Sequence, residues 1–331
     1  MTLEEENRRR ADRATVPPPL WGRSTREARR EGDSPRFPRS TLATRTIPIL
    51  RSGLLAQQFC RSVARAQVEA VFERSLYLRH HDAFICIGAS GIGNGPLTLI
   101  GDIGVPSPAL RPGQAASVCE RDITIGDSVR FTLDRSEVWR APPWPACAPP
   151  ARLTETCAVL ARRAAREAPE GFARHVLDAR MCDAHETPLM RAARTRVAMF
   201  TSWLSGTHDA GQVPVQGLVG LGPGLTPSGD DFLVGALAAL DAIGAGEAHG
   251  ALAAAVASAA PGATSALSAC LLRAAAAAHV GENLYGAVAA LLTGDVDVAV
   301  AALAHIGHSS GWDMMAGIAT VLEIAAAASS E

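Results

Sequence analysis

The chain has 331 residues, 48% of them hydrophobic, which is enough for two modest domains with real cores at roughly 100–200 residues each. A formal net charge of −2 and an aromatic content of 5% supply neither the basic surplus nor the stacking platforms of a nucleic-acid binder, and no bias toward a membrane surface. All 31 basic residues are arginine, so Schiff-base and P-loop lysine chemistry are excluded, and seven cysteines without a C-x-x-C pair fit a reducing cytosol better than a disulfide or zinc framework.

Residues 1–45 contain Arg8-Arg9-Arg10, Pro17-Pro18-Pro19 and Arg29-Arg30 with few aliphatics. Such a segment buries too little apolar area to offset its ordering entropy, so a disordered, solvated tail is expected. It has no apolar stretch of signal-peptide type. The later Ala-rich stretches are broken by charge, Gly and His, so no membrane span is expected and a cytoplasmic protein is the reading.

Residues 46–150 read as β. Val68, Ala70 and Phe72 alternate with polar positions, and Phe84, Ile85, Cys86 and Ile87 form a short continuous apolar run. Ile123 and Ile125 run into Gly126-Asp127, after which Val129, Phe131 and Leu133 alternate again, the signature of a hairpin. Several short, closely spaced strands predict a barrel or sandwich. Pro142-Pro143, Pro145 and Pro149-Pro150 then mark a boundary near residue 150.

Residues 151–331 predict a helical domain rich in Ala and Leu. Leu153, Cys157, Leu160 and Ala161 have helical spacing, and further helices are expected at about 230–243, 248–259, 264–279, 283–293 and 312–328. The fold class is therefore α+β, a barrel- or sandwich-like N-terminal domain followed by an Ala-rich helical one. No repeat of fixed period is evident.

The chemical centre is the string Gly220-Leu221-Gly222-Pro223-Gly224-Leu225-Thr226-Pro227-Ser228-Gly229-Asp230-Asp231, followed by the apolar start of a helix. Glycine permits close backbone approach and proline stiffens the path, so a rigid, shaped loop is expected. Ser228 can cap the helix with Asp231 three residues on, but a cap needs one or two residues, not the whole string. Two chemistries remain open. Backbone N–H groups of Gly222, Gly224 and Gly229, with the Thr226 and Ser228 hydroxyls, suit an anion at a helix N-terminus. Asp230 and Asp231 suit a Mg²⁺-like cation or proton exchange, and as neighbours about 100° apart on a helix they are expected to play different roles. No other cofactor is indicated.

A second polar stretch, residues 307–313, places His308, Ser309, Ser310 and Asp313 at the start of another helix. Ser309 or Ser310 can cap it; alternatively these residues line the same cleft. Thr264, Ser265 and Ser268 open a further helix, and Gly93-Asn94-Gly95-Pro96 reads as a turn in the β region. The histidines lack metal-site spacing.

The string at residues 220–232 resembles the signature of the AllH-like family, and residues 93–96 and 307–313 look like further family positions. The family includes a subunit of bacterial oxamate carbamoyltransferase, which acts in allantoin and purine nitrogen catabolism. The resemblance implies transfer of a carbamoyl group, in which oxalurate and phosphate give oxamate and carbamoyl phosphate. It implies work with FdrA-like and AllG-like partner subunits on small anionic substrates. The expected site comprises Asp230 and Asp231, with Asn94, Gly222, Gly224, Thr226, Ser228, Gly229, His308, Ser309, Ser310 and Asp313. The alternatives are a non-catalytic scaffold or ligand-sensing subunit, and a stand-alone amide or ureido hydrolase.

Overall fold

The computed structural model describes residues 44–103, 110–127, 129–177, 187–207, 212–307 and 309–329. The expected tail, apart from its last two residues, and His308 lie outside them.

Among the described residues, nine strands come first: β1 (Arg45–Gly53), β2 (Arg65–Val71), β3 (Ser75–His80), β4 (Ala83–Gly88), β5 (Thr98–Gly101), β6 (Ala115–Val118), β7 (Asp122–Ile125), β8 (Val129–Thr132) and β9 (Glu137–Trp139). Their order is β5-β4-β3-β2-β6-β7-β8-β1-β9, and β1 also pairs with β5. Eight strands thus close into a barrel, which removes free edges. Closure uses the length of β1. Its first half runs parallel to β8 (Ile47 opposite Phe131), and its second half runs antiparallel to β5 (Ser52 opposite Leu99) past an irregularity between Ile49 and Arg51. β9 adds to β1 in parallel.

The expected hairpin is β7–β8, with Ile123 opposite Phe131 and Ile125 opposite Val129, and all four side chains point into the barrel core. The alternation in β2 fails at its end. A register shift between Val68 and Ala70 turns the strand, so Val68 is buried while Phe72 is 46% exposed. The run Phe84–Ile87 is buried on both faces, because β4 has the barrel interior on one side and the helix Ala266–Ala276 packed against it on the other. A helix also lies inside the region read as β: α1 (Leu54–Ser62), whose Ala56, Phe59 and Cys60 join the barrel core on its interior side.

The helical region comprises α2 (Pro150–Glu167), α3 (Phe172–Leu177), α4 (Pro188–Leu204), α5 (Ser228–Ala242), α6 (Gly246–Ala259), α7 (Ala266–Ala276), α8 (Glu282–Thr293), α9 (Val296–Leu303) and α10 (Ser310–Ala328). The protein is α+β, a β-barrel followed by helices, as its sequence predicts. α2 shows Leu153, Cys157, Leu160 and Ala164 to the core, a single apolar stripe. α5 is different: every residue from Gly229 to Leu240 is buried. α10 is nearly as enclosed, from Gly311 to Leu322. It is long and apolar enough to cross a membrane, but about two thirds of it is buried inside the protein, the signature of a core helix.

The proline-rich linker is strapped down. Trp144 donates to Asp241 (2.7 Å) and stacks on Tyr285 at 4.8 Å between ring centroids, and the Tyr285 hydroxyl donates to the carbonyl of Pro143 (2.9 Å). The barrel meets the helices where Asn94 docks on α8: its N–H and Nδ2 both donate to Glu282 Oε2 at 2.8 and 2.7 Å, and Glu282 N–H donates to the Asn94 carbonyl at 2.8 Å. The residues read as a turn therefore join the two regions.

Candidate functional site

The loop before α5 is shaped by its glycines. Gly220 has φ +75°, and a Cβ there would stand 2.1 Å from the Ala263 carbonyl oxygen; Gly222 has φ +115°, with its missing Cβ 3.0 Å from Ser228 N. Only glycine meets both demands without strain. The chain turns back on itself as Leu221 N–H donates to the Leu218 carbonyl and Gly229 N–H donates to the Leu221 carbonyl, both at 2.9 Å. Ser228 does not cap the helix, as its position in the sequence suggests. Pro227 holds the cap position without a side-chain bond, and Ser228 lies in the first turn. The Gly229 amide that a cap would satisfy is already taken by Leu221.

Asp230 is fully buried, and both oxygens are engaged. Oδ1 accepts from Gly220 N–H (2.8 Å); Oδ2 accepts from Ser268 Oγ (2.7 Å) and from the Thr264 hydroxyl. It ties the loop to the start of α7, where Ser265 is the cap, accepting from Ser268 N–H at 3.0 Å. The two neighbouring aspartates thus have different surroundings, as adjacent helix positions require.

Asp231 points to the other helix. It is 1% exposed, and its Oδ2 has no hydrogen-bond partner. Burial pushes its carboxyl up to about 8; the Ser310 hydroxyl opposes this, the charge of Asp313 adds to it, the Thr226 hydroxyl opposes it and the charge of Asp230 adds to it. Thr226 and Ser310 hydroxyls bond each other at 3.1 Å, linking the loop to α10. Asp313 is 2% exposed, accepts from Ala173 N–H at 3.1 Å through Oδ1, and has an Oδ2 without a partner. Burial pushes it up to about 6, against the Ser228 hydroxyl, the Ala173 amide and the Ser309 hydroxyl. Ser309 occupies the cap position of α10 but makes no side-chain cap bond, so the expected capping by Ser309 or Ser310 does not occur.

The two helix starts are copies of one frame. Residues 228–235 and 310–317 both read Ser-Gly-x-Asp-x-x-x-Gly. Each is preceded by a Leu-x-x-(Leu/Ile)-Gly turn, Leu218 to Gly222 and Leu303 to Gly307. The geometry repeats with the spelling. Gly311 N–H donates to the Ile306 carbonyl (3.0 Å), as Gly229 N–H does to Leu221, and Asp313 N–H donates to the Ser309 carbonyl, as Asp231 N–H does to Pro227. The contacts between helices are reciprocal. A Cβ on Gly235 would stand 2.0 Å from the Met314 carbonyl oxygen, and a Cβ on Gly317 would stand 2.0 Å from that of Phe232. In each frame the last glycine meets the residue after the aspartate of the other. α5 and α10 cross about an approximate dyad, and at their N-terminal ends each aspartate faces the serine of its partner frame. This duplication is written in the sequence, but at an 82-residue offset with loops of unequal length.

Of the expected site residues, the structure brings together Gly222, Thr226, Ser228, Gly229, Asp231, Ser309, Ser310 and Asp313 around the crossing, with Asp230 beneath. Gly224, at φ +99° with open space around its missing Cβ, lies at the exposed tip beside Leu225, which is 59% exposed. The hydrogen bonds of Asn94 run to α8 instead, and its Oδ1 is buried without a partner. Gly235, Gly317 and Ala173 are the contributors not foreseen. They act through backbone and small size, which leave no chemical signal at a single position.

No curated protein and no solved structure matches the chain. Residues 218–322, from the first turn of the duplicated frame almost to the end of α10, match the model of the family described as oxamate carbamoyltransferase subunit AllH.

Proposed function

We propose that this chain is a subunit of an oxamate carbamoyltransferase-like complex, and that the α5–α10 crossing is its reaction site. One observation carries the reading: the family match, residues 218–322, takes in both copies of the frame that builds the paired carboxyls. The reaction is transfer of a carbamoyl group between oxalurate and phosphate, with oxamate and carbamoyl phosphate as products, in purine (allantoin) nitrogen breakdown. FdrA-like and AllG-like subunits are the partners. In this reading the loop at residues 222–228 receives the small anionic substrates. Thr226 and Ser310, both partly exposed, supply hydroxyl donors, and Asp231 and Asp313 position the group in transit from beneath.

The test is reconstitution of the three purified subunits and assay of oxalurate phosphorolysis. Asp231→Asn is expected to lower turnover by roughly 10²-fold, the scale of a misplaced reacting group. Unchanged turnover in that variant would remove the reaction site from this chain.

A further inference from the structure

We propose that the dyad between α5 and α10 is a divalent-cation site of the Mg²⁺ or Mn²⁺ class, held by Asp231 and Asp313 with the hydroxyls of Ser228 and Ser310. Each carboxyl is at least 98% buried and keeps one oxygen without a partner. An uncompensated buried carboxylate is costly, and two facing each other are more so. Among the described residues no ion pair reaches either group; those of the helical region, Arg152 with Glu155 and Arg163 with Glu167 and Asp297, lie on its surface.

The dyad narrows the choice of ligand. Equivalent positions of two equal frames offer the same donors, one carboxyl oxygen and one serine hydroxyl from each side. A single ion on the axis satisfies both sides at once, whereas an asymmetric organic group cannot. The donors are all oxygen, without sulfur or imidazole among the described residues, which selects hard cations over zinc or copper. Mg²⁺ is commonly bound by one or two carboxylates and fills its remaining positions with water and substrate phosphate. The exposed side of the site, under Gly224 and Leu225, is where such a phosphate would join. That last clause rests on the carbamoyltransferase reading; the cation site itself does not. It also reconciles two features that otherwise conflict: an anionic substrate next to two carboxyls needs a cation between them.

Mn²⁺ titrated into the full chain and followed by electron paramagnetic resonance tests the site without substrate or partners. One Mn²⁺ per chain is expected, displaced by Mg²⁺. Asp231→Asn and Asp313→Asn should each weaken binding by roughly tenfold or more, while the surface variant Glu155→Gln should bind as the native chain does. Mg²⁺ should also raise the melting temperature of the native chain above its value in EDTA, by linkage to the folded state; this measurement decides the matter if the variants fail to fold. Absence of stoichiometric Mn²⁺ binding, native affinity in either aspartate variant, or no melting shift would overturn the proposal. Bound Mn²⁺ in a reconstituted complex that transfers no carbamoyl group would support the cation site and sink the functional reading instead.

Discussion

The helix starts at α5 and α10 share the frame Ser-Gly-x-Asp-x-x-x-Gly and the Leu-x-x-(Leu/Ile)-Gly turn before it, and differ in the frame's third residue and in the loop between turn and frame. At the third position of the frame, α5 has Asp230, wrapped by Gly220 N–H, Ser268 and Thr264, and α10 has Trp312, packed against the apolar core. Before the frame, α5 has the long loop Gly222-Pro223-Gly224-Leu225-Thr226-Pro227 with an exposed tip, and α10 has a short turn from Gly307. The shared residues build the carboxyl pair and the close crossing. The unshared ones divide the labour: one half fastens the site to α7 and exposes a loop, while the other simply seats its helix. Asp230 and Asp231 are neighbours in sequence, yet only Asp231 has a counterpart across the dyad.

That division can be broken by mutation. Asp230→Ala should have the largest effect, since it strands three donors, one just before α7 and one in its first turn; a loss of about 3–5 kcal/mol is expected in chemical denaturation. A small effect would mean that the fastening role is misassigned. Gly235→Ala and Gly317→Ala come next. Each drives a methyl to 2.0 Å from a backbone carbonyl of the other helix, so each should cost about 3 kcal/mol. The dyad requires the two losses to be alike, and a melting experiment that finds one tolerated and the other not would refute it.

The smallest effect concerns the shared carboxyls without a cation. With Asp231 raised to about 8 and Asp313 to about 6, the folded chain holds protons that the unfolded chain has already released. Stability in EDTA should therefore fall as pH rises from about 4 through 8, by about 1 kcal/mol in the last unit, from pH 7 to 8. Asp231→Asn should flatten that upper part of the curve; an unchanged slope would mean that Asp231 is not the group responsible. The same measurement with Mg²⁺ sharpens the comparison, because a cation takes the place of the proton.

Sequence alone determined the elements that rest on local chemistry. Period-two alternation gave the β7–β8 hairpin, stripes of Leu and Cys gave α2, and Gly and Pro at fixed offsets located the loop before α5. It also named most of the residues that meet at the α5–α10 crossing, because Thr, Ser and Asp at a helix start are chemically conspicuous. What it left undecided were facts about partners distant in the chain. The helix α1 lies within a β-rich stretch because its face is completed by the barrel core. Asn94 joins barrel to helices because Glu282, 188 residues away, receives its two N–H groups. That the adjacent aspartates differ follows from helix geometry, but only the tertiary structure decided that Asp230 is the one satisfied by Gly220, Thr264 and Ser268 while Asp231 lies near the charge of Asp313. The physical reason is that a carboxyl's role depends on which donors reach its oxygens, and those donors arrive from turns and helices that only folding brings together.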